Sequence, residues 1–254
     1  AGHATAFLKA APLATLVGID RDGEALELAT KRMREEGLDE RFIPVHAAFD
    51  EVDKVLEDLA IYHIDAAFMD LGLSSLQIDE EDRGFSYSHN TALDMRMDTT
   101  QSITAATILA TYDSHKLANI FREYGQERFS GPIARKIVQV REETPITTSG
   151  QLVELVDNVI PRFHRAPGNP AKRVFQALRI EVNGELDKLA RTLPKLALRL
   201  NQGGRIVVES YHSLEDIAVK RFMNNGLEVD VPANMPIVPA DAQPFFKALT
   251  RGAV

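Results

Sequence analysis

A short apolar run that ends in a carboxylate, followed at once by small polar residues, most limits how this chain can fold. Residues 64–70 read IDAAFMD, and residues 71–75 read LGLSS. The run predicts a buried parallel strand, because such strands are covered on both faces and are almost continuously apolar. Ligands of open α/β sheets bind beyond the carboxyl ends of the strands, so Asp70 marks a candidate site. An ordinary solvated turn built from Asp, Gly and Ser is the alternative.

Two further strands are predicted earlier in the chain, and one of them also ends in a carboxylate. Residues 14–20 (ATLVGID) form an apolar run that ends in Asp20, and residues 41–46 (RFIPVH) predict a further strand. The proline in the latter points to a short strand or one near a sheet edge. Amphipathic helical segments follow both strands. This β-α-β-α-β alternation with short connections predicts an α/β fold with a doubly wound, mostly parallel sheet.

Helical patterns punctuated by prolines predominate from about residue 80 to residue 183. About a hundred residues of helix is too long for an ordinary crossover, so we interpret this segment as an inserted all-helical subdomain for substrate recognition. The predicted helices cover residues 102–111, 114–124, 127–142, 148–159 and 172–183. The predicted domains are a first part of the core over residues 1–85, the helical subdomain over 86–183 and a second part of the core over 184–254.

The α/β pattern returns after residue 183. Residues 185–200 predict a helix, residues 201–204 (NQGG) a turn and residues 205–210 (RIVVES) a strand. Ser213 is predicted to cap the next helix, because acidic residues occupy the first turn of that helix.

Composition excludes several classes of protein. The 254 residues include no cysteine, which rules out disulfides and thiolate metal sites and fits a cytoplasmic protein. The chain has no apolar run of about 18 residues, so no membrane span is predicted. A formal net charge of −8 argues against an indiscriminate nucleic-acid binder. Residues 160–179 nevertheless hold five cations and no acid, which predicts either a solvated helix face or a phosphate-contacting patch.

Asp20 is a candidate ligand of an adenosine-containing cofactor. A carboxylate at a strand end, about twenty residues after a glycine-containing turn, commonly binds both ribose hydroxyls. Asp20 stands in that relation to Gly2. NAD and S-adenosylmethionine present the same ribose, so both cofactors stay open on this ground. Phe49 follows the next strand and is either an adenine-stacking ring or a core residue.

Six blocks of sequence, spread in order over nearly the whole chain, are typical of one family. They are DLGLSSLQID (70–79), RGFS (83–86), LDMRMD (93–98), YGQERF (124–129), FQALRI (175–180) and SYHSLED (210–216). In these blocks the chain closely resembles the ribosomal RNA small subunit methyltransferase H family (MraW-like). The resemblance implies a Rossmann-like class I methyltransferase that uses S-adenosyl-L-methionine. It further implies methylation of the exocyclic N4 of a cytidine in the decoding region of small-subunit (16S) rRNA, with that rRNA or the small ribosomal subunit as partner.

The resemblance also implies which residues bind the cofactor. The implied set is Ala1, Gly2 and His3 in the first loop, Asp20 on the ribose, Phe49 by the adenine, and Asp70 and Gln77 near the amino-acid end. The chain departs from the family pattern at three positions. Ala1 stands where glycine is often found, Tyr211 where phenylalanine is usual, and Ile217 where arginine is frequent. Because the first residues look like the middle of a loop, we expect further sequence upstream.

The protein must activate the acceptor nitrogen of the cytidine. Cytosine N4 is a weak nucleophile, because its lone pair is delocalised into the ring. Hydrogen-bond acceptors on its protons would favour a pyramidal nitrogen and take up charge as the new bond forms. Our hypothesis assigns this role to Asp70, Ser74 and the backbone carbonyls of residues 71–75. His212 is expected either to hold the cytosine or to satisfy a backbone group at its own turn.

The protein must also bind the RNA around the target base. A stacked base cannot reach a recessed methyl group, so the target cytidine is expected to splay out against an aromatic ring. Phe85 and Tyr211 are candidates for that ring, and a place in the core is the alternative for each. The predicted phosphate contacts are Arg128, Arg135, Lys172, Arg173 and Arg179.

Two other functions compete with this interpretation. A nicotinamide-dependent oxidoreductase would also place Asp20 on a ribose, but it needs a phosphate-binding glycine loop that the first residues neither show nor exclude. A non-catalytic ribosome-assembly factor could use the same scaffold, although Asp20, Asp70 and Gln77 argue against it. The spacing of the histidines suggests no metal site. The sequence leaves open whether the protein is a monomer or a homodimer.

Overall fold

The computed structural model describes residues 2–74, 83–164, 168–228 and 244–250. Helices and strands alternate up to residue 70, helices follow, and one further strand lies near the end. The elements are α1 (Gly2–Ala10), β1 (Leu16–Asp20), α2 (Gly23–Glu35), β2 (Phe42–His46), α3 (Val52–Asp58), β3 (Ile64–Asp70), α4 (Ala105–Thr111), α5 (Ser114–Glu123), α6 (Ser130–Arg141), α7 (Ser149–Val159), α8 (Lys172–Asn183), α9 (Glu185–Arg199), β4 (Leu200–Glu209) and α10 (Ser213–Leu227). Short 3₁₀ turns cover Asp39–Arg41, Phe49–Glu51 and Arg162–His164.

The strands form two parallel pairs. In one pair β1 lies beside β2, with Asp20 opposite His46. In the other pair β3 lies beside β4, with Asp70 opposite Glu209. Within the described residues no ladder joins the two pairs. The prediction of a mixed α/β fold with parallel strands is confirmed. Polar residues therefore meet at the carboxyl end of each pair.

The prediction that β3 is a buried strand is wrong. Met69 is the one buried residue of β3, whereas Asp65, Ala66 and Asp70 are exposed. The reason is that β3 is paired only with β4 among the described residues, so no neighbouring strand covers its other edge. Asp70 consequently has access to solvent.

The fourth strand begins at Leu200 and not at residue 205. Leu200 pairs with Ile64 and Arg205 pairs with Ala66, so residues 201–204 are an irregular stretch inside β4. The Gly-Gly pair that predicts a turn here instead accompanies a break in strand register, which is a common position for glycine in a strand.

The helices between β3 and β4 agree with the predicted segments to within a few residues. α8 has the predicted bounds. α4 begins later than predicted because Thr104 lies outside the helix and caps it, accepting a hydrogen bond from the Thr107 N–H at 3.1 Å. α6 begins later because the Glu127 carboxylate accepts the Phe129 N–H at 2.8 Å and holds a turn there.

These helices share an apolar core of their own, which includes Phe121, Ile133, Leu152 and Leu178. A separate cluster packs around the strands and includes Leu56, Met69, Leu71, Leu189 and Leu193. The domain boundaries at 85/86 and 183/184 stay predictions. In the described part of the chain, no helix is both long and apolar enough to cross a membrane.

Candidate active site

Asp70, the last residue of β3, is held by two side chains from distant parts of the chain. The Tyr211 hydroxyl donates a hydrogen bond to Asp70 Oδ1 at 2.9 Å. The Nδ1 atom of His3 lies 3.2 Å from Asp70 Oδ2. Glu209, opposite Asp70 in the register, has its Oε2 atom 3.9 Å from His3 Nε2. The ends of β3 and β4 therefore carry two accessible carboxylates bridged by one imidazole.

Tyr211 reaches Asp70 across the loop that follows β3. Gly72 in that loop has φ +93°, and a Cβ atom there would lie 3.1 Å from Tyr211 Cδ2. A glycine thus lets the ring lie close to the backbone. The hydrogen bond to Asp70 and the negative charge of that residue raise the pKa of the Tyr211 phenol. Tyr211 is 66% exposed, so most of its ring is available to a ligand, whereas Phe85 packs partly buried against the core of the helical segment.

His3 lies in the first turn of α1 and not in a loop. The prediction that Gly2 and His3 form a cofactor-binding loop is therefore wrong in its local structure, because the helix begins at Gly2. The imidazole packs edge-on against Phe68, with 4.9 Å between ring centroids. This contact and Asp70 together fix the ring.

The loop that carries Tyr211 is anchored by the buried carboxylate of Glu215. Glu215 Oε2 accepts the Tyr211 N–H at 2.9 Å and the His212 N–H at 3.3 Å. Burial acts to raise the pKa of Glu215, but the hydrogen bonds from His212 and from the Tyr211 N–H outweigh it, so the pKa is lowered.

His212, and not Ser213, caps α10. Its Nδ1 atom accepts the Glu215 N–H at 3.4 Å, and its side chain is 10% exposed. The prediction for Ser213 is wrong because the helix begins one residue before the position that a capping serine requires. His212 satisfies a backbone group at its turn, which was one of its two expected roles. Its role toward a cytosine stays a prediction.

Arg179 lies in a buried ion pair. Its Nε and Nη2 atoms donate to the two carboxylate oxygens of Glu185 at 3.0 and 2.9 Å. Both side chains are at most 15% exposed. The expected phosphate contact is therefore wrong for Arg179, because its guanidinium already has a carboxylate partner inside the protein. The ligand atoms of Glu185, His212 and Glu215 lie within 4.8 Å of one another, so the ion pair adjoins the capped start of α10.

Asp20, the last residue of β1, is exposed at the carboxyl end of its strand. Its Oδ1 atom accepts the Asp22 N–H at 2.9 Å. Surrounding atoms shield the carboxylate from bulk water and raise its pKa, and the Asp22 N–H acts in the opposite direction. Asp22 itself caps α2 and accepts a hydrogen bond from Arg83. Phe49 lies partly buried against the cluster around the strands, which fits either of its expected roles.

The remaining predicted residues fall into three groups. Ser74 is described and partly buried. Ala1 and Gln77 lie outside the described residues. The exposed predicted phosphate contacts are Arg128, Arg135, Lys172 and Arg173.

Two contacts that shape the site were not predicted from the sequence. The sequence marks Tyr211 as a departure from a family pattern and as a candidate stacking ring, but not as a partner of Asp70, because the two residues lie far apart in the chain. Glu215 was noted only as an acid in a first turn. The His-x-x-Glu spacing resembles the reciprocal capping pattern Ser/Thr-x-x-Glu and was the available signal for its role.

A mixed α/β fold with parallel strands, and with accessible carboxylates at their carboxyl ends, fits the class of Rossmann-like methyltransferases. Within that class the chain belongs to the MraW methylase family, whose model matches residues 1–254. The resemblance inferred from the sequence blocks is confirmed.

Three relatives illustrate the match. Ribosomal RNA small subunit methyltransferase H of Bifidobacterium longum (strain DJO10A) is 69% identical over 254 residues, which are 100% of this chain and 71% of that protein. The protein of the same name from Bifidobacterium animalis subsp. lactis (strain AD011) is 67% identical, over 100% of this chain and 72% of its own length. That of Frankia alni is 52% identical over 253 residues, 99% of this chain and 78% of that protein.

Proposed function

We propose that this protein transfers a methyl group from S-adenosyl-L-methionine to the exocyclic N4 of a cytidine in the decoding region of small-subunit rRNA. The carrying observation is the Asp70 carboxylate, exposed at the end of β3 and held by His3 and Tyr211, in a chain that belongs to the MraW methylase family. Relatives named Ribosomal RNA small subunit methyltransferase H support the choice of rRNA. Family membership favours neither the oxidoreductase nor the assembly factor.

The donor set at the strand ends fits an adenosine cofactor. Asp20 is exposed, and its carboxylate has more lone pairs than the one that accepts the Asp22 N–H, so it can also accept from a ribose hydroxyl. When bound, S-adenosyl-L-methionine supplies an electrophilic methyl group. The proposed cofactor set is Ala1, Gly2, His3, Asp20, Phe49, Asp70 and Gln77.

Asp70 is the proposed acceptor for the amine protons. Each carboxylate oxygen has two lone pairs, so the bonds to Tyr211 and His3 leave Asp70 able to accept another hydrogen bond. These two partners fix the carboxylate, and a fixed acceptor lowers the barrier more than a mobile one does. Ser74 and the carbonyls of residues 71–75 are proposed as further acceptors, and His212 as a contact for the cytosine ring.

The proposed architecture assigns the RNA to the helical segment. The strands belong to one doubly wound sheet in residues 1–85 and 184–254, and residues 86–183 are an inserted subdomain that binds RNA. The separate apolar core of the helices supports this division. The exposed Arg128, Arg135, Lys172 and Arg173 are its proposed phosphate contacts.

A methyl-transfer assay on small ribosomal subunits that lack the modification tests the proposal. The Asp70→Asn variant should lower the single-turnover rate by about 100-fold or more, because general acid–base groups contribute about 10² to 10⁴. Asp65→Asn is the matched control: Asp65 is an exposed carboxylate on the same strand, bonded to Asn201. Near-normal transfer by Asp70→Asn would remove Asp70 from the chemistry.

The cofactor is tested separately by calorimetric titration. The protein should bind S-adenosylhomocysteine and not NAD, and the reverse would support the oxidoreductase. Binding of S-adenosylhomocysteine without any methyl transfer to the subunit would instead support the assembly factor.

A further inference from the structure

An aromatic ring at the end of the helical segment is exposed without an evident structural reason. Phe163 lies in the 3₁₀ turn Arg162–His164 and is 83% exposed. Removing such a ring from water is favourable. A single exposed apolar residue is ordinary, so the ring indicates a binding surface only together with the cations around it. We call the group around it the Phe163 surface, and its members are Arg128, Phe129, Arg162, Phe163, His164 and Arg173.

Ring contacts hold Phe163 in place. Its ring lies 4.4 Å from the His164 ring at an interplanar angle of 47°. The His164 ring lies 5.5 Å from that of Phe129, at the start of α6. The His164 N–H donates to the Pro161 carbonyl at 2.9 Å and closes the turn. Three rings in series therefore tie the turn to the helical segment and leave the outermost ring accessible.

The turn before α6 is tied in the same way to the start of α8. Arg173 Nη1 donates to the Gln126 carbonyl at 3.3 Å. A Cβ atom on Gly125 would lie 2.5 Å from the Arg173 carbonyl oxygen, so only glycine allows the two backbones to approach this closely. The backbone that carries Arg128 and Phe129 is thus fixed against α8.

The cations of this surface lack acidic partners. Arg128 and Arg162 are exposed, and neither forms an ion pair with a carboxylate in the described part of the chain. Arg173 has a carbonyl as its hydrogen-bond partner and not a carboxylate. In a chain with a net charge of −8, such a group has the charge to bind an anionic partner.

We propose that the Phe163 surface binds a single-stranded part of the substrate RNA outside the methylated nucleotide. Phe163 stacks on one unpaired base, and Arg128, Arg162 and Arg173 contact the phosphates on either side of it. Exposed rings combined with cations are the usual chemistry for holding unpaired nucleotides. This inference rests on the proposed function for the identity of the RNA.

Binding of a labelled single-stranded RNA oligonucleotide from the decoding region, measured by fluorescence anisotropy, tests the proposal. Phe163→Ala should weaken binding by about 5- to 160-fold, the range of stacking on one base. Phe163→Trp should bind like the unmodified protein, whereas Phe163→Leu should be as weak as the alanine variant, since leucine is apolar but cannot stack. Phe245→Ala, at another exposed phenylalanine (62%), is the matched control and should have no effect. Thermal unfolding checks that all variants are folded.

Several outcomes would overturn this assignment. One is that Phe163→Ala binds the oligonucleotide as well as the unmodified protein does, and another is that Phe163→Leu binds as well as Phe163→Trp. If Phe163→Ala no longer binds the assembled small subunit but still binds the oligonucleotide normally, the surface contacts a protein partner instead. The two proposals fail separately. A protein that methylates normally but is insensitive to Phe163→Ala contradicts only the RNA-stacking role. A protein that methylates nothing, yet loses RNA affinity in Phe163→Ala, contradicts only the proposed function.

Discussion

Asn183 shows how one buried amide can hold two parts of the chain together. The residue is 1% exposed and ends α8. Its Oδ1 atom accepts the Met97 N–H at 3.0 Å, and its Nδ2 atom donates to the Met95 carbonyl at 2.8 Å. Met95 has φ +62°, an unusual backbone conformation for a residue other than glycine. The amide therefore provides hydrogen-bond partners for two backbone groups of an irregular loop.

We expect Asn183→Ala to destabilise the protein by about 2 to 6 kcal/mol, because it leaves two buried backbone groups without partners at about 1 to 3 kcal/mol each. Urea unfolding followed by circular dichroism measures the change. Asn201→Ala removes an exposed amide bonded to Asp65 and should cost about 0.5 kcal/mol or less. Equal effects of the two substitutions would show that Asn183 does not hold the loop.

At the scale of elements, the start of α10 organises the candidate active site. Glu215 in its first turn accepts two backbone N–H groups from residues 211 and 212, and the Tyr211 hydroxyl then reaches Asp70. Asp70 ends a strand and Tyr211 precedes a helix, so their contact depends on how two elements pack. The groups that face Glu215 are His212 and Glu185, and Glu185 is itself neutralised by Arg179.

The stability that Glu215 contributes should depend on pH. Its pKa in the folded protein lies below the ordinary value of 4.5, so the folded state favours the carboxylate. The contribution is complete above pH 4.5 and is lost as the pH falls through the folded pKa. Glu215→Gln should lower the free energy of unfolding by about 1 kcal/mol at pH 7, the difference between a charge-assisted and a neutral hydrogen bond.

Urea midpoints of both proteins between pH 7 and pH 3.5 measure this dependence. The gap between unmodified protein and Glu215→Gln should narrow below pH 4.5. Asp216→Asn, at the half-buried neighbour in the same first turn, provides the comparison. A gap that stays constant over the whole range would contradict the charged role of Glu215.

For the whole molecule, local patterns predicted elements well and contacts between elements poorly. The apolar runs that end at Asp20 and Asp70 are strands, and α8 has the predicted bounds, because period and capping are encoded locally. The ion pair of Arg179 and the contact of Tyr211 with Asp70 were not predictable, since each depends on tertiary packing. Burial of β3 was mispredicted for the same reason: apolar composition does not tell whether a strand is paired on both edges.

The charge distribution of the molecule leads to the last prediction. The chain is acidic overall, with a net charge of −8, yet Arg128 and Lys172 are exposed on the helical segment and lack described ion-pair partners. If RNA binds there, each neutralised phosphate releases counter-ions. The double variant Arg128→Gln, Lys172→Gln should therefore reduce the slope of log K against log salt by about 1.4, at about 0.7 per single-strand contact.

The matched control neutralises Lys31 and Lys220, two exposed cations on α2 and α10 that pair with Glu35 and Asp216 of the same helices. The control and the test variant each lose two positive charges, so any effect of net charge on RNA binding appears in both. Anisotropy titrations between 50 mM and 300 mM KCl provide the slopes. A reduced slope in the test variant alone assigns the phosphate contacts to the helical segment, because only a local contact distinguishes two proteins of equal charge. Equal slopes in the two variants would move the RNA footprint to another surface.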